Sequence, residues 1–422
     1  MALLTKINDT TPVKSDSAWH NKTLLTLCAG ELTMAMGFGF VGPIFPKFVS
    51  ALGVAPAQIG TMVGLAITVY GIARVVTDLP AGKLASHWGR RPLLILGPAL
   101  MAIGALGCGL ATAYWQLLVL RLVQGAGSAI YNVTCIIVIA EISTLSNRGQ
   151  YLSLDWGAWL IGSSLGPTLG GFVGEYLGYR APFFCFSFLA LIASLWFYFR
   201  IPETKKTQLA DTSQTSSNPP KPNSANETAF SYKNLNFVLI CTVAFLTLVT
   251  LSGNQITLVP ILGYERLNLR EGQVGLVLTL VAVMQCIFVF PAGRLSDKLG
   301  RKIIIVSGGV ISALALILFT QSYSYLFCLL SAILLGIGRA FGGPVTSAYV
   351  ADIAPPQNYE HSMALYRTIS DTGFVIGPLL LGWLKDVRGL DFPFLLGAGL
   401  LFGAIILFAA LATETVSRSK KL

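Results

Sequence analysis

Residues 82–91 read GKLASHWGRR, and residues 293–302 read GRLSDKLGRK. Both stretches hold Gly, Leu, Gly and Arg at matching places, and they lie 211 residues apart in a chain of 422. The same offset relates Pro80-Ala81 to Pro291-Ala292, and Gly125 and Gly127 to Gly336 and Gly338. It also relates Ala140-Glu141 to Ala351-Asp352, Gly166-Pro167 to Gly377-Pro378, and Glu203-Thr204 to Glu414-Thr415. Matches held at one spacing over so much of the chain mark an internal duplication.

The duplicated unit is apolar. Hydrophobic residues make up 54% of the chain and charged residues 11%, with a mean hydropathy of +0.69. A soluble domain averages about 25% charged residues. A chain this poor in charge cannot cover itself with a wetted surface, so the bilayer is its expected solvent. A hydrocarbon core of about 30 Å takes about 20 apolar helical residues to cross. Twelve such stretches can be read: 22–49, 59–82, 91–112, 115–141, 149–176, 181–201, 236–262, 273–295, 302–321, 325–351, 362–386 and 392–412.

The expected fold is an all-α membrane protein. Twelve transmembrane helices form two six-helix, pseudo-symmetric halves around a central cavity. The expected organisation is a tail at 1–21, a bundle at 22–201, a linker at 202–235, a second bundle at 236–412 and a tail at 413–422. The linker contains QLADTSQTSSNPPKPNSANET, rich in Ser, Thr, Asn and Pro and unable to bury a core. Repeated halves related by an axis along the membrane normal are a transporter architecture, with substrate near the midplane between them.

The net charge of +10 maps onto loops. With the N-terminus placed in the cytoplasm, cytoplasmic segments take 19 of the 29 Lys and Arg, outer loops take 6, and 4 fall within spans. This asymmetry is the positive-inside rule, so both termini are expected in the cytoplasm and the protein in the cell membrane. Nothing else supports a nucleic-acid partner. The polar first 21 residues hold Asp9 and Asp16 and no Arg, so a transit peptide is not expected.

The seven Cys all sit in apolar spans, with no CxxC pair, and read as small buried hydrophobes. The three His lie in terminal or loop regions, so no metal centre is expected. A phosphate-cradling GxxxxGK[ST] is absent, which argues against ATP drive and against a nucleotide cofactor. The expected partners are a small-molecule substrate, protons and the lipid bilayer, and the chain is expected to act as a monomer and not as an enzyme.

The stretch Gly293, Asp297, Gly300, Arg301, Lys302 resembles the signature loop of the major facilitator superfamily in full. The first copy keeps Gly82, Gly89, Arg90 and Arg91 but has Ser86 where the family usually has Asp. Its glycines allow close helix ends and a tight turn, and its arginines can reach helix carbonyl ends and acids. Glu141 and Asp78 are candidate partners, and Asp352 is the second-half equivalent of Glu141. Such pairs can latch the outward-facing state and break in the inward-facing one; they can equally serve topology alone. Asp78 also lies four residues after Arg74, where a local pair is possible.

Two further stretches resemble drug–proton antiporters of this superfamily. Arg121-Leu-Val-Gln124-Gly125 looks like their RxxQG motif, in which the buried Arg is associated with proton coupling. Gly162, Gly166, Pro167, Gly170 and Gly171 match their GxxxGPxxGG signature in span five. Small residues at this spacing let helices pack closely. The stretch GFGFVGPIFP of span one resembles tetracycline-type exporters, which often carry an Asp where Met34 stands here. Glu31 lies one turn earlier, read as near mid-membrane. An acid there can bind and release protons or neutralise a cation.

Arg367 and Asp371 in span eleven can pair locally or face the cavity, and Asp155 in span five is similarly open. Tyr70, Asn132, Trp159, Asn254, Gln255 and Gln285 are candidates for the cavity wall, or for interhelical packing. The leading reading is a secondary exporter that exchanges protons for amphipathic or cationic molecules. In it Glu31 and Asp371 alternate between proton and substrate while Arg121 tunes the coupling. A proton symporter or facilitator for a sugar, organic anion or lipid is the alternative, with Arg367 and Arg339 on the anion. A non-transporting membrane sensor is the third.

Overall fold

The computed structural model describes residues 21–144, 147–203, 234–355 and 358–415. The described residues form twelve long helical segments and no strand. In the first half these are α1 (Lys22–Ala51), α2 (Ile59–Trp88), α3 (Arg90–Leu110), α4 (Tyr114–Ile142), α5 (Arg148–Leu177) and α6 (Ala181–Arg200). In the second half they are α7 (Leu235–Glu265), α8 (Glu271–Leu299), α9 (Arg301–Thr320), α10 (Tyr325–Ile353), α11 (Tyr359–Arg388) and α12 (Asp391–Leu411). Most of the expected linker, and the greater part of both tails, lie outside the described residues.

Ten of the twelve are apolar enough, by length and composition, to cross a membrane. The other two are α5 and α11, which carry Asp155 and the Arg367–Asp371 pair of charges. Both lie on the seams where the halves meet, α11 against α2 and α5 against α8, although α2 and α8 share those seams and are apolar enough to cross.

Each half starts its α2–α3 and α8–α9 connection with a glycine at positive φ, Gly89 at 98° and Gly300 at 107°. A side chain at that φ is strained, so the tight reversal selects glycine. These two connections share one end of the bundle with the ends of α4 and α10, here called the basic end. The opposite end is the far end.

The hydrogen bonds and ion pairs described between the halves lie at mid-bundle and toward the far end. Lys47 pairs with Glu271 at 2.7 Å, and Tyr264 donates to the Pro43 carbonyl at 2.7 Å. Glu175 accepts from the Gly272 amide at 3.1 Å and faces Arg270 at 3.6 Å. Thr68 donates to the Val375 carbonyl at 2.6 Å, and Thr168 and Thr279 bond at 2.7 Å. The bundle is thus closed at its far end. Toward the basic end, Leu79 and Phe290 stand 82% and 67% exposed, and a Cβ added at Gly293 would meet no neighbouring element within 4 Å.

Within α7, Thr250–Leu258 winds as a π-helix. Such segments are rare and often mark functional sites. This one contains Asn254 and Gln255, and its Gly253 sits against the Gly377 carbonyl of α11 at 2.7 Å from an added Cβ.

Candidate functional site

The basic loops knit each half together internally. Arg90 donates through Nε and Nη2 to Glu141 at 2.8 and 2.6 Å, and through Nη1 to the Ala85 carbonyl at 3.1 Å. Arg301 repeats this with Asp352 at 2.6 Å and adds Asp297 at 3.1 Å. The backbone amides of Arg90 and Arg91 donate to Glu203 at 3.0 and 3.2 Å. Those of Arg301 and Lys302 donate to Glu414 at 2.8 and 3.1 Å. Glu203 and Glu414 therefore cap the N-termini of α3 and α9, where a carboxylate meets free amides and the positive end of the helix dipole. The repeated Glu-Thr had no assigned role in the sequence, and capping supplies one. In place of the missing Asp, the Ser86 hydroxyl donates back to the Lys83 carbonyl at 2.7 Å.

This geometry corrects one expectation and bears on another. The pairs of Arg90 and Arg301 stay within their own halves and are intact in a conformation closed at the far end. Asp78 takes no part in the loop. It lies on α2 within electrostatic reach of Arg74, Arg367 and Asp371. Neither expected local pair, Arg74 with Asp78 or Arg367 with Asp371, closes to ion-pair distance among the described residues. The four charges form a loose cluster across the α2–α11 seam, so Asp371 groups with Asp78.

The glycines of span five are contact points. A methyl group added at Gly162 would overlap the Leu32 carbonyl of α1, and one at Gly170 would overlap the Phe40 backbone. Gly166 packs on Gly39 of α1, 2.8 Å from an added Cβ. Gly171 turns instead to the other half, against the start of α8 at Glu271, while the Pro167 carbonyl meets Gly275. One stretch of α5 thus holds α1 on one side and the far-end seam on the other.

The acidic centre is built from three helices of the first half. Glu31 on α1, Cys135 on α4 and Asp155 on α5 each bring one ligand-type atom to within 4.8 Å of the others. Glu31 is 5% exposed and Cys135 1%, and Asp155 is half-buried. The Cys135 thiol donates to Asp155 Oδ1 at 3.7 Å, whereas Glu31 Oε2 is buried with no hydrogen-bond partner. Nine residues into the 30-residue α1, Glu31 is about 14 Å from the basic end of its helix and about 8 Å short of the helix midpoint. Tyr131 of α4 closes the site above Phe197, its ring stacked at 5.7 Å. Cys135, read from sequence as a filler, and Asp155, left open, are the residues that join Glu31.

Arg121 is elsewhere. It donates to Gln124 at 3.1 Å and lies over the rings of Phe45 and Phe183 at 4.5 and 5.9 Å. Phe45 is fourteen residues beyond Glu31 on α1, about 20 Å along the helix. Arg121 therefore does not touch the Glu31 carboxylate, and its local partners are an amide and aromatic faces.

Among the candidates for the cavity wall, Tyr70 sits on Phe38 at 5.6 Å, and Trp159 stacks on Trp156 at 4.7 Å. Asn132 bonds within its own helix to the Ser128 carbonyl at 3.0 Å, and Gln285 is half-buried on α8. Asn254 takes the packing alternative: it is fully buried, and its amide donates to the Pro393 carbonyl of α12 at 3.0 Å, so it ties α7 to α12. Gln255 is 9% exposed, with Oε1 unpartnered. Arg339 of α10 is 5% exposed, donates to the Thr247 carbonyl at 3.2 Å and leaves Nε and Nη2 unpartnered.

Comparison with known proteins places this architecture. Multidrug resistance protein 2 of Bacillus subtilis is 24% identical over 404 residues, 95% of this chain and 97% of its own length. Tetracycline resistance protein, class B, of Escherichia coli is 27% identical over 367 residues, 82% of this chain and 84% of its own. Among solved structures, the xylose transporter of E. coli in a partially occluded inward-open conformation superposes with a TM-score of 0.71. It does so at 15% identity, over 94% of this chain and 98% of that one. The family model of the Major Facilitator Superfamily matches residues 27–269 and again residues 240–422, so that both copies of the duplication are covered. The chain is a multi-pass membrane transporter and belongs to the Major Facilitator Superfamily.

Proposed function

We propose that this transporter is a proton-coupled exporter of amphipathic or cationic small molecules that works by alternating access. The observation that carries the reading is Glu31, a buried acid with an unpartnered oxygen, set within a few ångströms of a second acid. An in-membrane acid without a cation partner is costly, and such residues mark ion or proton pathways. The relatives named as multidrug and tetracycline resistance proteins point the same way. The antiporter-type span five supports it too, because its glycines and Pro167 contact both α1 and the other half.

The basic end is the cytoplasmic end in this reading, following the distribution of Lys and Arg, so both termini are cytoplasmic and the membrane is the cell membrane. The conformation closed at the far end is then the inward-facing one, with Glu31 on the cytoplasmic side of the barrier. The protein works as a monomer, with substrate, protons and lipid as its partners.

The test is uptake into inverted membrane vesicles. A pH gradient, acid inside, is imposed, and accumulation of a fluorescent lipophilic cation is followed. Several-fold accumulation over vesicles lacking the protein, abolished by collapsing the gradient, is the expected result. Indifference to the gradient across a panel of lipophilic cations overturns the reading.

One observation favours the alternative, a symporter or facilitator for an organic anion. Arg339 is a buried cation with two donor groups free of partners among the described residues, and a carboxylate would satisfy both. Proton movement in the same direction as an organic acid in those vesicles would select it.

A further inference from the structure

We propose that Glu31 and Asp155 form a single proton-binding unit, in which the two carboxylates share one exchangeable proton and the Cys135 thiol registers its presence. This rests on the proton-coupled reading above and specifies its centre: Asp155, rather than Asp371, is the second acid.

The geometry supplies the argument. Oxygens of the two carboxyl groups lie within 4.8 Å of one another, on helices that pack side by side, α1 and α5. Neither group belongs to an ion pair among the described residues. Two negative charges at that separation in a mostly buried site repel strongly, so one proton is retained by the pair and belongs to neither acid alone. The unpartnered Glu31 Oε2 leaves room for a further donor, which a proton or a cationic ligand provides.

The groups facing the pair are few. On α1 there is Cys28, and on α4 there are Tyr131 and Cys135, all uncharged as thiols and phenol. On α2 the cation is Arg74, whose field reaches Glu31 without an ion pair. From α6 the contact is the Phe197 ring, against Gly30. No described Lys or His takes part, so the proton count at the pair is set mainly by the two acids and by whatever enters from the basic end.

The exchange balances. With one proton the pair carries one negative charge. A monovalent cation entering from the cytoplasmic side breaks the shared O–H bond; the proton leaves to water on that side, and the cation meets two carboxylates. The net charge of the loaded site is the same in both states. After the halves rock, a proton from the far side returns to the pair and the cation departs. One proton is exchanged for one monovalent cation, and the cycle moves no net charge.

The experiment is an infrared pH titration of the full-length protein in lipid nanodiscs, with no substrate present. Two bands are read: the C=O stretch of protonated carboxyl groups and the S–H stretch of Cys135, identified by its loss in Cys135→Ala. Wild type, Glu31→Gln, Asp155→Asn and the double variant are compared. The expected result is one carboxyl titration, with the Cys135 band shifting over the same pH range. In each single variant the remaining acid titrates with a shifted midpoint, and only in the double variant is the titration lost. Two separate titrations, each lost with its own residue and summing in the double variant, overturn the proposal. So does a Cys135 band indifferent to that range in wild type, a readout needing no carboxyl substitution. Because no transport is measured, failure of the export reading shows instead as a normal titration with no gradient-driven uptake.

Discussion

Asp386 of one half caps the first turn of α2 in the other through Thr61. Its Oδ2 accepts from the Thr61 amide and hydroxyl at 2.6 Å each, and its Oδ1 accepts from the Gly60 amide at 3.1 Å. The Asp386 side chain is only 7% exposed and has Lys385 Nζ at 3.4 Å. An N-cap normally sits in its own chain segment. Here the amides left free by α2 are satisfied across the seam, so the cap exists only while the far end is closed.

Asp386→Ala is therefore expected to destabilise the far-end-closed conformation by about 1–2 kcal/mol, the usual worth of an N-cap. That is roughly a tenfold shift in a two-state equilibrium. Double electron–electron resonance between spin labels at Ala57 and Arg388, exposed residues of the far end, measures it. The long-distance population should grow severalfold relative to the labelled parent. An unchanged distance distribution would show that the cap does not bias the conformation.

The two basic loops are expected to differ in strength although their sequences repeat. The Arg90–Glu141 side chains are 10% and 13% exposed, and the Arg301–Asp352 side chains 18% and 30%. Removing one partner of a buried pair costs about 3–5 kcal/mol, and an exposed pair is worth about 1 kcal/mol or less. Glu141→Ala should lower the unfolding midpoint in detergent clearly more than Asp352→Ala does. Equal losses, or the reverse order, would contradict this.

Helix packing offers a sharper contrast. A Cβ added at Gly166 would meet the α1 backbone, while one added at Gly157, nine residues earlier on α5, would meet no neighbouring element within 4 Å. Overpacking costs about 1–3 kcal/mol or more, whereas Gly→Ala in an open helical site is neutral or stabilises by up to about 1 kcal/mol. Gly166→Val should reduce both folded yield and melting temperature, and Gly157→Ala should reduce neither. A Gly166→Val protein that melts like wild type would remove the α1–α5 contact as the reason for this glycine.

The duplication was readable because it shows as a constant offset, and the offset located both Glu141 and Asp352 as partners for the loop arginines. The role of Glu203 and Glu414 was not readable, since nothing in a Glu-Thr dipeptide states which helix end its carboxylate will meet. Glu31 stood out as an acid within a span. Its association with Asp155 and Cys135 depends on how α1, α4 and α5 rotate against one another. Residue spacing along one helix carries no information about that rotation. Arg74–Asp78 and Arg367–Asp371 show the opposite failure. Four-residue spacing permits a pair, but in the folded bundle none closes, and the four charges group across the seam instead.

The most direct measurement is proton movement in proteoliposomes loaded with a pH-sensitive dye, comparing wild type with Glu31→Gln. A pH gradient is imposed, and lipophilic cations, neutral drugs, sugars and organic acids are added in turn. Dissipation of the gradient by wild type on adding a lipophilic cation, reduced at least tenfold in Glu31→Gln, is the expected result. Protons moving along with a sugar or an acid, or moving equally well in Glu31→Gln, would contradict it.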